Sequence, residues 1–135
     1  MIRCLVHDNF CEYTKTCKKK WLDEFPVDEY SASEYHLFYE FWNGHRFLAA
    51  MYGNDLDSNE IYLDHLFVTE KYKRKGYGTY MIDYLKKKYK YIYLESTEEA
   101  VGFYRKLGFT KNRDQSHTIY NNTICMTLRV KKKRK

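Results

Sequence analysis

Residues 68–79 read VTEKYKRKGYGT, a basic, glycine-containing turn between two ordered segments. Before it stands the apolar strand-like run IYLDHLFV (61–68). After it, the stretch from Tyr80 to Tyr89 repeats at helical spacing, with Tyr77, Met81, Tyr84, Leu85 and Lys88 on one face. YIYLE (91–95) then has β-type composition. Strand, helix and strand in succession imply a right-handed crossover between parallel neighbours. Gly76 and Gly78 remove Cβ atoms where the loop enters the helix. An anion can therefore approach free backbone N–H groups at the positive end of that helix. Lys73, Arg74 and Lys75 add charge beside it, so the junction suits a phosphate or pyrophosphate. It is not a Walker loop, which needs four residues between its glycines and a following Lys-Ser/Thr. A dinucleotide fingerprint would need a third glycine where Met81 stands.

Working outward, Ile2–Val6 reads as a strand. Phe10, Cys11, Thr14, Cys17, Trp21, Leu22 and Phe25 form a helical stripe that Pro26 closes. YHLFYEFW (35–42) and HRFLAAMY (45–52) flank Asn43-Gly44, a hairpin signal of type I′. NDLDSN (54–59) reads as a loop. On the other side, Ser96 with Glu99 forms a capping box for a second helix. The apolar face of that helix is Ala100, Phe103, Tyr104 and Leu107, and Gly108 ends it. Residues 109–130 hold two strands, the last being Thr123–Val130 after a turn at Asn121-Asn122. The economical fold is α+β, one mixed and mostly antiparallel sheet with helices on both faces. Residues 1–130 form a single domain, followed by the basic tail 131–135.

Composition narrows the function. At 135 residues one domain is expected, and 44% hydrophobic with 19% aromatic residues excludes a disordered chain. No apolar run reaches the ~18 residues of a membrane span, and MIRCLVHD lacks the apolar core of a signal peptide. A cytoplasmic location follows as the default, with a nuclear one through the tail as the alternative. Cys4, Cys11, Cys17 and Cys125 form no C-x-x-C pair and the five His are scattered, so no metal is expected. The tail supplies five of the six net positive charges, leaving +1 on residues 1–130. KYKRK (71–75), KKKYK (86–90) and the tail offer a nucleic-acid reading, but the near-neutral body argues against a broad electrostatic footprint.

KRKGYG (73–78) resembles the Q/R-x-x-G-x-G/A acyl-CoA signature of GNAT-family N-acetyltransferases. Val68 lies eight residues before the first glycine, as is usual there, and FYRKLGF (103–109) is similar to the family's helix-ending F-Y-x-x-L-G-F motif. The order of elements matches as well. Lys73 departs from the pattern, where Gln or Arg is customary; it keeps the charge but loses planar hydrogen bonding. The resemblance implies a cleft where strands 61–68 and 91–95 splay apart. It places a pantetheine arm along Leu66, Phe67 and Val68, and a pyrophosphate at Arg74, Lys75, Gly76, Tyr77, Gly78 and Thr79. Thr97 matches a position where relatives often carry an Asn that contacts the cofactor.

Periodicity alone makes Tyr104 a core residue, whereas the resemblance makes it the acid that protonates the departing coenzyme A thiolate. Several family members place their base near the level of Tyr62 and Asp64, which makes Asp64 the first candidate. His65 faces the other way. Glu95, at the end of the next strand, is the second. The implied activity is acetyl transfer from acetyl-CoA to a primary amine by direct attack on the thioester, in a monomer or homodimer. Protein lysine, a protein N-terminus, a polyamine and a small metabolite all fit as acceptor. An acyl-CoA-binding domain without catalysis is the alternative.

Overall fold

The computed structural model describes residues 2–7, 37–116, 118 and 122–131, except the side chains of His7, His65, Phe67 and Glu70. The helical stripe expected at 10–25, the turn residue Asn121 and the tail 132–135 lie outside the described residues. The strands are β1 (Ile2–His7), β2 (Leu37–Asn43), β3 (Arg46–Asp57), β4 (Glu60–Val68), β5 (Tyr91–Thr97), β6 (Thr110–Lys111) and β7 (Thr123–Arg129). Helix α1 (Tyr77–Lys86) lies between β4 and β5, and α2 (Val101–Lys106) follows β5. Hydrogen bonds join the strands in the order β1-β2-β3-β4-β5-β7-β6. The expected mixed, mostly antiparallel sheet is present, and β4 and β5 form its parallel pair. Residues divide into two compact units, 1–54 with 65–78, and 55–64 with 79–135.

In the first unit β1, β2 and β3 form an antiparallel meander. Phe38 to Trp42 and Phe47 to Tyr52 are buried without alternation, so both faces of these strands are covered. Aromatic packing orders them: Phe38 stacks on Tyr52 at 5.3 Å, and Trp42 meets Phe47 edge-on at 5.1 Å. Burying Glu40 demands polar partners, and the indole Nε1 of Trp42 donates to its Oε1 at 3.3 Å. The β2–β3 turn differs from the expected Asn43-Gly44. Asn43 pairs with Arg46 in the ladder, so the central residues are Gly44 and His45. Positive φ is confined to Gly44 (+61°), as in a type II′ turn rather than type I′.

In the second unit the ladder of β4 and β5 runs from Glu60↔Tyr91 to Leu63↔Leu94. Both strands continue beyond it, to Val68 and Thr97. From Glu95 onward β5 is paired with β7 alone, which is the expected splay. Ile61, Leu63, Ile92, Leu94, Met126 and Leu128 are buried on one face of these strands, and Met81, Ile82, Leu85, Val101 and Phe109 are buried beyond them.

Several local expectations are corrected. Residues 54–57 belong to β3 rather than a loop; the turn is Ser58-Asn59, with the Asn59 N–H donating to Asp57 Oδ1 at 2.7 Å. Helix α1 starts at Tyr77, not Tyr80, because Gly76 (φ +86°) sets its entry. Its buried residues are Met81, Ile82 and Leu85. Lys88 lies past its end, where Lys88 and Tyr89 N–H groups both reach Leu85 O. Ser96 is no cap: it sits in β5, opposite Ile124, and its hydroxyl donates to Thr97 O. A 3₁₀ turn (Glu98–Ala100) precedes α2 instead. In α2 Val101 is the buried residue and Phe103 is exposed, while Gly108 (φ +105°) ends the element as expected.

Candidate active site

The glycine loop is built on a polar anchor. Thr69 follows the last residue of β4 and is buried. Its N–H donates to Leu48 O at 3.0 Å and its hydroxyl to the same oxygen at 3.2 Å, fixing the chain's exit against β3. The Tyr72 N–H returns to Thr69 O at 2.9 Å, closing a 3₁₀ turn at Glu70–Tyr72. Tyr72 then serves as a hub. The ammonium groups of Lys71 and Lys75 each lie 5.8 Å from its ring centre, and Tyr77 meets it edge-on at 6.2 Å. Cation–π contact therefore draws two lysines to one ring.

Between them the backbone is unusual. Arg74 has φ +66° and Gly76 φ +86°. Left-handed residues on either side of Lys75 turn neighbouring N–H groups into a concavity of the kind that holds anions. A Cβ built on Gly76 meets nothing within 4 Å, so glycine is required there by conformation and not by space. Lys73, Arg74, Lys75 and Gly76 are exposed, and Tyr77, Gly78 and Thr79 form the half-buried first turn of α1. On β4, Leu66 and Val68 are half-buried, and the side chains of Phe67 and His65 are outside the described residues.

The second unit carries the candidate acid–base residues on one face of β5. Its register places Glu60 and Tyr62 of β4 level with Tyr91 and Tyr93, and Thr123, Cys125 and Thr127 of β7 level with Thr97, Glu95 and Tyr93. Glu95 is clamped: Tyr62 donates to its Oε2 at 2.9 Å and Thr123 to its Oε1 at 2.7 Å. Asp64 is half-buried on the same face of β4, one step past the last paired residue. Tyr93 donates to Glu60 at 2.6 Å, and this bond, with burial, raises its phenol to about 12. Burial, with Glu95 and Asp114 nearby, raises the Cys125 thiol.

Tyr104 lies in α2 with its ring 5.1 Å from Phe103 and 5.4 Å from Phe109. Burial alone raises its hydroxyl to about 12, above the ordinary value near 10. Thr97 is the exposed last residue of β5 and makes no side-chain cap bond.

Sequence reasoning missed the clamp of Tyr62 and Thr123 on Glu95, for which strand parity was the available signal. It also missed Gln115. The Gln115 amide accepts from the Cys125 N–H at 2.8 Å and donates to Cys125 O at 3.1 Å, standing in for a strand beyond the two residues of β6. No spacing rule marks such a side chain. No group of His, Cys, Asp and Glu able to hold a metal occurs among the described residues.

The sequence profile of the acetyltransferase (GNAT) domain matches residues 33–111, more than half of the chain. The chain belongs to the GNAT family. No curated protein matches the GNAT chain in sequence. Solved structures share its fold at low identity. The ribosomal-protein-S18-alanine N-acetyltransferase of Escherichia coli superposes with a TM-score of 0.70 at 17% identity, covering 99% of this chain and 97% of that one. A GNAT acetyltransferase from Elizabethkingia anophelis with acetyl-CoA bound gives 0.67 at 17%, covering 95% and 97%. The IAA acetyltransferase of Bacillus cereus gives 0.68 at 13%, covering 96% and 99%.

Proposed function

We propose that this GNAT protein is an N-acetyltransferase that moves the acetyl group of acetyl-CoA to a primary amine. The observation that carries the reading is the left-handed pair Arg74 and Gly76 immediately before α1. Its backbone N–H groups, with Lys73, Arg74 and Lys75, suit the pyrophosphate, and Leu66–Val68 would run beside the pantetheine arm. The bound acetyl-CoA of the Elizabethkingia anophelis relative supports the same choice of donor.

Main-chain N–H groups of β4 polarise the thioester carbonyl as the amine nitrogen attacks it. An alkylamine of pKa ~10.4 is about one part in a thousand neutral near physiological pH. Supplying the free base therefore accounts for roughly 4 kcal/mol of the barrier. Asp64 takes that proton through water, with Glu95 as the second carboxylate of the same face. The C–S bond then breaks and charge collects on sulfur. A phenol near 12 is a weaker acid than an ordinary thiol, so Tyr104 acts as a hydrogen-bond donor that stabilises the thiolate rather than as a full proton donor. The test is release of free thiol from acetyl-CoA across a panel of amines. Amine-dependent release supports the reading. Acetyl-CoA binding without release from any amine would favour a binding domain.

A further inference from the structure

A cavity of about 1,090 Å³ opens beside the C-terminal half of α1, and none of its lining residues is among those assigned to acetyl-CoA. Its walls come from α1, the end of α2 and the end of β7. Two of the three basic runs in the sequence meet there: Lys86 and Lys87 open KKKYK, and Lys131 begins the tail, with Arg129 just before it. The cavity's acidic residue is neutralised locally. Lys86 lies 3.5 Å from Asp83 and also donates to Leu107 O at 3.3 Å. The side chains of Lys87, Arg129 and Lys131 are exposed, and among the described residues none has a hydrogen-bond or ion-pair partner. The near-neutral total of residues 1–130 therefore hides a concentrated positive site.

The walls also carry Tyr80 and Tyr84, one helical turn apart, with Tyr80 40% exposed. Rings at i and i+4 stand about 5–6 Å apart at Cβ. Three free cations could hold any polyanion, but the exposed Tyr80 ring adds a surface for a flat base that an acidic peptide would not use. The half-buried Tyr84 ring already carries the Lys88 ammonium at 5.3 Å. We propose that this cavity binds single-stranded nucleic acid, with phosphates on Lys87, Arg129 and Lys131 and a base against Tyr80. The combination of backbone-tracking charge and stacking rings is the general chemistry of sequence-tolerant strand binding.

The test is fluorescence anisotropy of an end-labelled twelve-residue oligothymidylate with the full chain. Three phosphate contacts on a single strand predict that affinity falls about twentyfold between 50 and 200 mM salt. The triple substitution Lys87→Glu, Arg129→Glu, Lys131→Glu should cost at least tenfold in affinity with the melting temperature unchanged. Tyr80→Ser should weaken binding severalfold without altering the salt slope. Three results would overturn the proposal. In one, the triple variant binds like the parent. In another, polyglutamate binds as well as the oligonucleotide, which makes the site a generic or acidic-peptide one. In the third, acetyl-CoA displaces the oligonucleotide stoichiometrically, which makes the cavity part of the donor site.

Discussion

The two faces of β5 contrast sharply. Ile92, Leu94 and Ser96 point to one side and are buried, level with Ile61 and Leu63 of β4. Tyr91, Tyr93 and Glu95 point to the other and are half-buried, with Tyr93 and Glu95 tied to neighbouring strands by hydroxyl–carboxylate bonds. One face contributes stability through burial of apolar area. The other contributes less by that route but holds titratable groups partly exposed to water. A strand of seven residues thus separates an apolar core face from a polar, titratable one by the alternation of its side chains.

The contrast is broken most forcefully from the apolar side. Ile92→Ala should cost about 2–4 kcal/mol in denaturant unfolding, the usual loss for truncating a fully buried branched residue. A cost under ~1 kcal/mol would mean that this face is not the core. Chemistry should respond to the hydroxyl in α2 instead. Tyr104→Phe keeps the ring contacts with Phe103 and Phe109 but removes a donor to the developing thiolate charge, so unfolding should change little while turnover falls about 100-fold at unchanged acetyl-CoA affinity. Because burial holds the phenol near 12, its acid form persists throughout the working range, and the rate profile below pH ~10 should contain no limb that this substitution removes.

On the polar face Asp64→Asn should lower turnover about tenfold at neutral pH and recover as pH rises toward the amine's own pKa, since deprotonation then needs no base. Equal activity at neutral pH would transfer the role to Glu95. The smallest effect belongs to the tail. Deleting residues 132–135 should shift the melting temperature by no more than an ordinary surface change, below ~1 kcal/mol, and leave acetyl-CoA affinity alone.

Fold and site were legible to different depths. The segment VTEKYKRKGYGT, with a strand before and a helix after it, carried the parallel crossover and the glycine turn into α1, because glycine placement is a local signal. Boundaries slipped wherever pairing overrode local preference: Ser96 reads as a cap but is held in β5 by β7, and Asn43 reads as a turn residue but pairs with Arg46. The acid–base face was half legible. Parity put Tyr62 and Asp64 together, yet the partners of Glu95 come from strands 33 residues before and 28 residues after it, and only the register brings them into contact. Helical periodicity did put Tyr104 on an apolar face, but the raised phenol that this burial brings is not itself a spacing signal.

Acetyl-CoA titration of the melting temperature, in the parent and in Gly76→Val, bears most directly on the account. In the parent a hundredfold excess over Kd should stabilise the fold by about 2.7 kcal/mol, a shift of several degrees. Valine at φ +86° strains the loop, but no atom within 4 Å opposes its Cβ, so the fold should persist while the ligand-induced shift disappears. An equal shift in both proteins would contradict the assignment of the donor's pyrophosphate to residues 73–79.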